Sequence, residues 1–325
     1  MPLKDPLRRS WPALSLVLSL SLALSACGGD DTAHDDEPAT GSDGTFPVSV
    51  VSGPMEGGEE ITVEAEPTSI VSLSPTATEM LWAIGAEDQV VAVDDQSDYP
   101  VGVPTTELSG YEPNVEAILG YEPDLVVTSG DSGDLVSSLD KVGVPVLVLP
   151  SATKLEESYD QIERLGAATG HDEEAAEVVT EMQTGIEEAV AAAPDARGLT
   201  YFHELGPDLY TVTGNTFIGE VYGLFGMTSV ADETGKGDDY PQLSTEYVVS
   251  SDPDLVLLAD NECCGITPAD VQKRPGWEQM SAVRNDRIHL VDEDITSRWG
   301  PRVVEFVELV GKLVAEHQAQ LQPAA

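Results

Sequence analysis

Arginine is scarce in this chain, yet Arg298 and Arg302 share one short loop, DITSRWGPR, with Trp299 between them. A planar guanidinium pairs bidentately with carboxylate or catecholate oxygens, and an indole offers a flat apolar face, so Arg298 and Trp299 are read as lining a ligand cleft. Salt bridging to the surrounding acid is the alternative for Arg298 and the preferred role for Arg302. His203 closes an apolar strand, as an axial ligand or as a hydrogen-bonded structural group. Cys263 and Cys264 are adjacent, which does not suit zinc, because ligand pairs usually need intervening residues to wrap the metal. In an oxidising compartment they could join as a vicinal disulfide and give a ligand a rigid platform; two buried free thiols are the other reading. With no three-histidine or His/Asp cluster, no bare metal ion and no cofactor is expected. Gly-x-Ser-x-Gly, Walker A and strand-borne Gly-x-Gly-x-x-Gly motifs are missing from the sequence, so it does not read as an enzyme.

The elements that must position these groups read as alternating strands and helices. Ser69–Val93 is a strand, a Ser74-Pro75 turn, a helix with Met80, Leu81 and Ile84 on its apolar face, a stop at Gly85 and a second strand. Thr76 or Thr78 is expected to cap that helix. The turn after such a first strand lies at the carboxyl edge of the sheet, where open α/β sheets bind ligands.

Two echoes then recur in the same order. Glu79–Gly85 (EMLWAIG) returns as Glu220–Gly226 (EVYGLFG). The stretch holding Glu116 before Pro123-Asp124-Leu125-Val126 returns as the stretch holding Glu246 before Pro253-Asp254-Leu255-Val256, at the same spacing. Ordered echoes imply two similar lobes. The expected class is therefore α/β, with parallel sheets covered on both faces. Between the lobes, Asp172–Ala193 reads as a helix of roughly 30 Å, long enough to act as a rigid spine. The expected segments are a leader over 1–26, a tether over 27–65, a first lobe over 66–170, a bridging helix over 171–197 and a second lobe over 198–325.

Charge narrows the partners. The 325 residues hold 59 acidic and 15 basic side chains, a net charge of −44. Such a surface repels nucleic acid and anionic lipid, so DNA binding and polybasic membrane attachment are excluded. The N-terminus carries Lys4, Arg8 and Arg9 before the apolar run Trp11–Leu24, the pattern of a signal peptide. Leu24-Ser25-Ala26-Cys27 resembles the bacterial lipoprotein lipobox, which implies cleavage before Cys27 and lipid on its sulfur. The polar stretch that follows reads as a disordered spacer. The expected location is the extracytoplasmic face of a cell membrane, held by that lipid.

SIVSLSPTATEMLWAIGA, Ser97–Pro100 (SDYP), NVEAILGYEPDLVV, YPQLSTEYVVSSDPDLVLL and SRWGPR together resemble the class III substrate-binding proteins of ABC importers, which carry cobalamin, iron–siderophores or haem. The resemblance implies two Rossmann-like lobes joined by one long rigid helix, with the ligand in the cleft between them. It implies a metal-chelate ligand, an ABC permease dimer with its cytoplasmic ATPase as partner, and a monomeric protein. Cobalamin-binding members carry aromatic residues around the cleft; here Gln96 precedes SDYP, and Tyr111 and Tyr240 are the aromatic candidates. An iron–siderophore is the expected cargo, with cobalamin or haem as alternatives. In the family one exposed glutamate on each lobe pairs with permease arginines, and Glu116 and Glu246 match those positions. A related-looking fold serves some metal chelatases, so an exported chelatase is the alternative of another class.

Overall fold

A computed structural model describes residues 45–234 and 237–321. Strands are numbered in chain order: β1 Val48–Ser52, β2 Glu59–Val63, β3 Ile70–Leu73, β4 Val90–Val93, β5 Leu125–Thr128, β6 Val146–Val148, β7 Thr200–Glu204, β8 Thr228–Ser229, β9 Leu255–Leu258 and β10 Ile288–Leu290. The first lobe has the parallel sheet β4-β3-β5-β6 and the second the parallel sheet β8-β7-β9-β10. Within each lobe the order is second, first, third, fourth. The two echoes in the sequence thus correspond to one topology used twice.

The local chemistry repeats with it. In each lobe the aspartate of Pro-Asp-Leu-Val pins the start of the neighbouring strand. Asp124 accepts from the Thr68 amide at 2.8 Å and the Ser69 amide at 3.0 Å; Asp254 accepts from the Thr200 amide at 3.0 Å. The helix Pro75–Ala83 follows β3 and is matched by Phe217–Leu224 after β7. Thr216 caps the second, accepting from the Gly219 amide at 2.9 Å. In the first, Ser74 is the cap, accepting from the Ala77 amide; the expectation of Thr76 or Thr78 fails because Pro75 already occupies the first helical position. Instead the Thr78 hydroxyl bonds the Ser72 and Ser97 hydroxyls, at 2.9 Å each. Gly85 and Gly226, at φ 79° and 78°, end the two turns in the left-handed region.

Both sheets are buried on two faces. The outer face of the first, with Val71 and Val126, packs on Ile118, Leu135 and Leu139. That of the second, with Phe202 and Val256, packs on Trp277 and Met280. The inner faces share one apolar cluster, running from Ile70 and Leu125 through Val179 and Ile186 to Tyr201 and Leu257. Val179 and Ile186 belong to the spine Asp172–Ala192, which lies against Leu155–Thr169 on one side and Val303–Leu321 on the other. These crossings need glycine. A Cβ on Gly166 would stand 2.5 Å from Ala175 Cβ, and one on Gly185 would stand 2.8 Å from Val304. The lobes therefore share a packed core along the spine rather than hanging from a flexible strand pair.

One expectation fails at the start of the first lobe. Residues 45–65 are not a disordered tether: β1 and β2 form an antiparallel hairpin, with Val50 and Val63 buried. The hairpin covers the edge of β6. The Gly53 amide donates to the Val148 carbonyl at 2.7 Å, and the Arg164 guanidinium donates to the Gly53 carbonyl at 2.7 Å. The period-two pattern of Val48, Val50, Ile61 and Val63 supplies its buried face despite the acidic residues around it. The leader, Cys27 and the tether up to residue 44 lie outside the described residues.

Candidate functional site

Side chains from the loops beyond β4 and β10 meet at the junction of the two lobes. Arg298 follows the short helix Glu293–Ser297 and crosses the junction. Its Nη1 lies 3.0 Å from Glu79 Oε1 and 3.0 Å from Asp98 Oδ1. Its Nη2 donates to the Gln96 carbonyl at 3.2 Å and lies 2.7 Å from Asp294 Oδ1. Arg302 donates from Nε to Glu79 Oε2 at 2.8 Å, and its guanidinium sits 4.1 Å over the Tyr99 ring. Salt bridging is thus the reading of Arg298 that the geometry realises: both terminal nitrogens are engaged, and the residue is buried. A buried cation of this kind needs its partners, because an unpaired charge at such a site costs several kcal/mol.

Trp299 also faces the lobe junction. Its indole N–H donates to Gln161 Oε1 at 2.8 Å, and its carbonyl accepts from the Ser158 hydroxyl. Both partners lie on Leu155–Thr169, a helix of the first lobe. His203 does not reach the cleft. It is fully buried in β7, Nδ1 is 2.9 Å from the Tyr222 hydroxyl, and burial pushes its pKa down to about 3. It is therefore a neutral core histidine and not an axial ligand, because strand alternation turns it onto the inner, apolar face of the second sheet.

Cys263 and Cys264 are joined in a disulfide and exposed, on the turn Asn261–Cys264 that follows β9. Two buried thiols are therefore not what forms. Asp260, immediately before this turn, is fully buried. Its carboxyl is pushed up to about 7, first by burial and then by repulsion from Glu204. Glu204 is itself paired with Arg274, with Nη1–Oε2 at 2.6 Å.

The tyrosines occupy the carboxyl edges. Tyr111 is 82% exposed and follows Gly110, whose backbone passes so close to β3 that a Cβ would stand 2.5 Å from the Leu73 carbonyl. Tyr240 is half-exposed, in a loop that bonds the segment after β7 through Thr213 N–Asp239 O and Thr211 N–Pro241 O. That segment carries Tyr210, also half-exposed and bridged to Gln242, a third aromatic that sequence reasoning missed. Gln96 is exposed at the edge of the first lobe. Glu116 and Glu246 are exposed at the second position of Val115–Leu119 and Thr245–Ser251. Asn114 and Ser244 cap these helices, so the two glutamates are not needed as caps. Neither glutamate has an ion pair among the described residues.

The model of the family described as periplasmic binding protein matches residues 70–295. The chain belongs to this family. Of its relatives, an uncharacterized ABC transporter substrate-binding lipoprotein, YvrC, of Bacillus subtilis is 31% identical over 92% of this chain and 94% of its own length. A cobalamin-binding protein of Halobacterium salinarum is 33% identical over 90% of this chain and 81% of its own. Among solved structures, a possible iron-binding (periplasmic solute-binding) protein from Staphylococcus epidermidis superposes with a TM-score of 0.67 at 26% identity, covering 76% of this chain and 98% of that one. The present periplasmic binding protein is accordingly a substrate-binding protein, and these relatives are named as binding and transport proteins rather than enzymes.

Proposed function

We propose that the protein is the lipid-anchored solute receptor of an ABC importer and that its cargo is an uncharged corrinoid of the cobalamin class. The observation that carries the ligand assignment is the spending of Arg298 and Arg302 on Glu79, Asp98 and Asp294. The cations that could have anchored a tricatecholate or the propionates of haem are already neutralised, and the protein around them is strongly acidic. An anionic chelate would enter against that field, whereas a corrinoid decorated with amides does not. Exposed tyrosines on both carboxyl edges offer apolar faces with polar tips to such a ring. The identity to a cobalamin-binding protein supports the same choice. Within the iron–siderophore class, the same charge argument leaves only neutral or cationic chelates such as ferric hydroxamates.

Delivery rests on Glu116 and Glu246, exposed and equivalently placed on two lobes that share one core. A body of fixed geometry can offer both carboxylates together to a two-fold permease. Each exposed pair is worth roughly 0–1 kcal/mol, and joint engagement multiplies the effect. Membrane attachment through Cys27 fits the lipobox; among the described residues no helix is long and apolar enough to cross a membrane.

The test is a tryptophan-quenching titration of the exported domain with cyanocobalamin, haem, a ferric hydroxamate and a ferric tricatecholate. Saturable binding of cyanocobalamin, and none of the tricatecholate, is expected. Preference for an anionic chelate would overturn the ligand assignment. Metal insertion into a bound porphyrin would instead identify a chelatase.

A further inference from the structure

Glu79 and Glu220 are equivalent positions of the internal repeat, each standing six residues before the left-handed glycine that ends its turn, Gly85 or Gly226. Each lies on the first helix of its lobe, and each sends its carboxylate across to the other lobe. Glu79, buried, binds Arg298 and Arg302, at the start of the helix Val303–Leu321. Glu220 accepts from the Leu155 amide at 2.7 Å and lies 3.8 Å from Lys154 Nζ, at the start of the helix Leu155–Thr169. Both target helices flank the spine.

We infer that Glu79 and Glu220 are twin interlobe latches that fix the opening of the cleft and thereby set how long its cargo is retained. The two sides use different chemistry. Glu220 closes on the N-terminal end of a helix, where the Leu155 amide and the helix dipole favour negative charge. Glu79 instead takes charge-assisted bonds from the guanidiniums of Arg298 and Arg302. The two latches differ in strength. Glu79 is held by two guanidiniums in a buried setting, whereas Lys154 is largely solvated and its contact with Glu220 is long. Glu79 is therefore the firm latch and Glu220 the yielding one. The hydrogen bonds of Trp299 to Gln161 and Ser158 lie on the same seam and reinforce the firm side. Neither glutamate is among the exposed residues of the cleft edges, so both act as positioning residues and not as ligand contacts.

The retention part of the inference rests on the solute-receptor reading; the lobe-angle part does not, and the experiment separates them. Spin labels are attached through ketone-bearing side chains at Ser137 and Glu278, exposed positions on opposite lobes, which leaves the disulfide untouched. Interlobe distances are measured without ligand for the parent, Glu79→Gln, Glu220→Gln, the double variant and Glu308→Gln, an exposed control on the terminal helix. The distribution should broaden in each latch variant, most in the double, and stay at the parent width in the control. Cyanocobalamin dissociation should accelerate in parallel, on the order of tenfold in the double variant, as when one partner of a buried charge pair is removed. An unchanged distribution in the double variant, or equal broadening in the control, refutes the latches. Broadening without faster dissociation refutes their role in retention. Should Glu79→Gln fail to fold, Glu220→Gln alone decides, and a parent-like distribution there refutes the inference. Failure of cyanocobalamin to bind the parent refutes the cargo, while the ligand-free distances still test the latches.

Discussion

Asp260→Asn should stabilise the protein at pH 8 and have no effect near pH 4. Asp260 is completely buried, and its folded pKa of about 7 stands well above the ordinary 3.8. Burial is the main cause, and Glu204 adds repulsion that Arg274, already closed on Glu204, does little to relieve. The folded state therefore holds a proton that the unfolded state releases between these two values. Stability from this group is complete below pH 4 and falls as pH rises toward 7. Roughly three pK units at 1.36 kcal/mol each set an upper bound of about 4 kcal/mol. Asparagine keeps the shape and the donor but cannot ionise, so the variant should escape this loss. Urea unfolding of parent and variant from pH 4 to 8 measures it, as a difference near zero at pH 4 that grows to a few kcal/mol at pH 8. A pH-independent difference, or a variant less stable at pH 8, would refute the claim that a protonated carboxyl is buried beneath the disulfide turn.

Tyr111→Ala and Tyr210→Ala should each weaken cyanocobalamin binding by roughly 1 kcal/mol, read by calorimetry, if these rings stack on the corrinoid; unchanged affinity in both would remove them from the site. Glu116→Ala and Glu246→Ala should leave binding unchanged but lower uptake by cells, most in the double variant at equal protein level. Cys27→Ser should shift the protein to the soluble fraction or leave the precursor uncleaved, and normal processing with membrane retention would rule out the anchor. The intact mass should lie two hydrogens below the Cys263–Cys264 dithiol, and mild reduction should weaken cargo binding if the turn lines the cleft.

The α/β class, the two lobes and the bridging helix were legible because each rests on local pattern: apolar runs, capped helices and a repeat that kept its spacing. The hairpin β1–β2 was hidden by composition, since Glu59, Glu60 and Glu64 dilute an alternation only a few residues long. The two-residue strand β8 is too short to leave a pattern. Salt bridging was legible for Arg302, but the partner of Arg298 and Arg302 was not, because Glu79 is 219 and 223 residues away along the chain. A signal was nonetheless present. A glutamate is the first residue of both copies of the first echo, on helices that otherwise carry apolar faces, and a charge repeated there marks a partner outside the helix. For His203 the hydrogen-bonded structural reading is the one that forms, because the end of a strand can be as deeply buried as its middle.

Hydrogen exchange of the exported domain with and without cyanocobalamin tests the central claim most directly. An uncharged corrinoid held between the lobes should bind one to one and slow exchange on both carboxyl edges together, in the loop of Tyr111 and in the paired loops of Tyr210 and Tyr240. No binding, or protection confined to one lobe, would contradict the account.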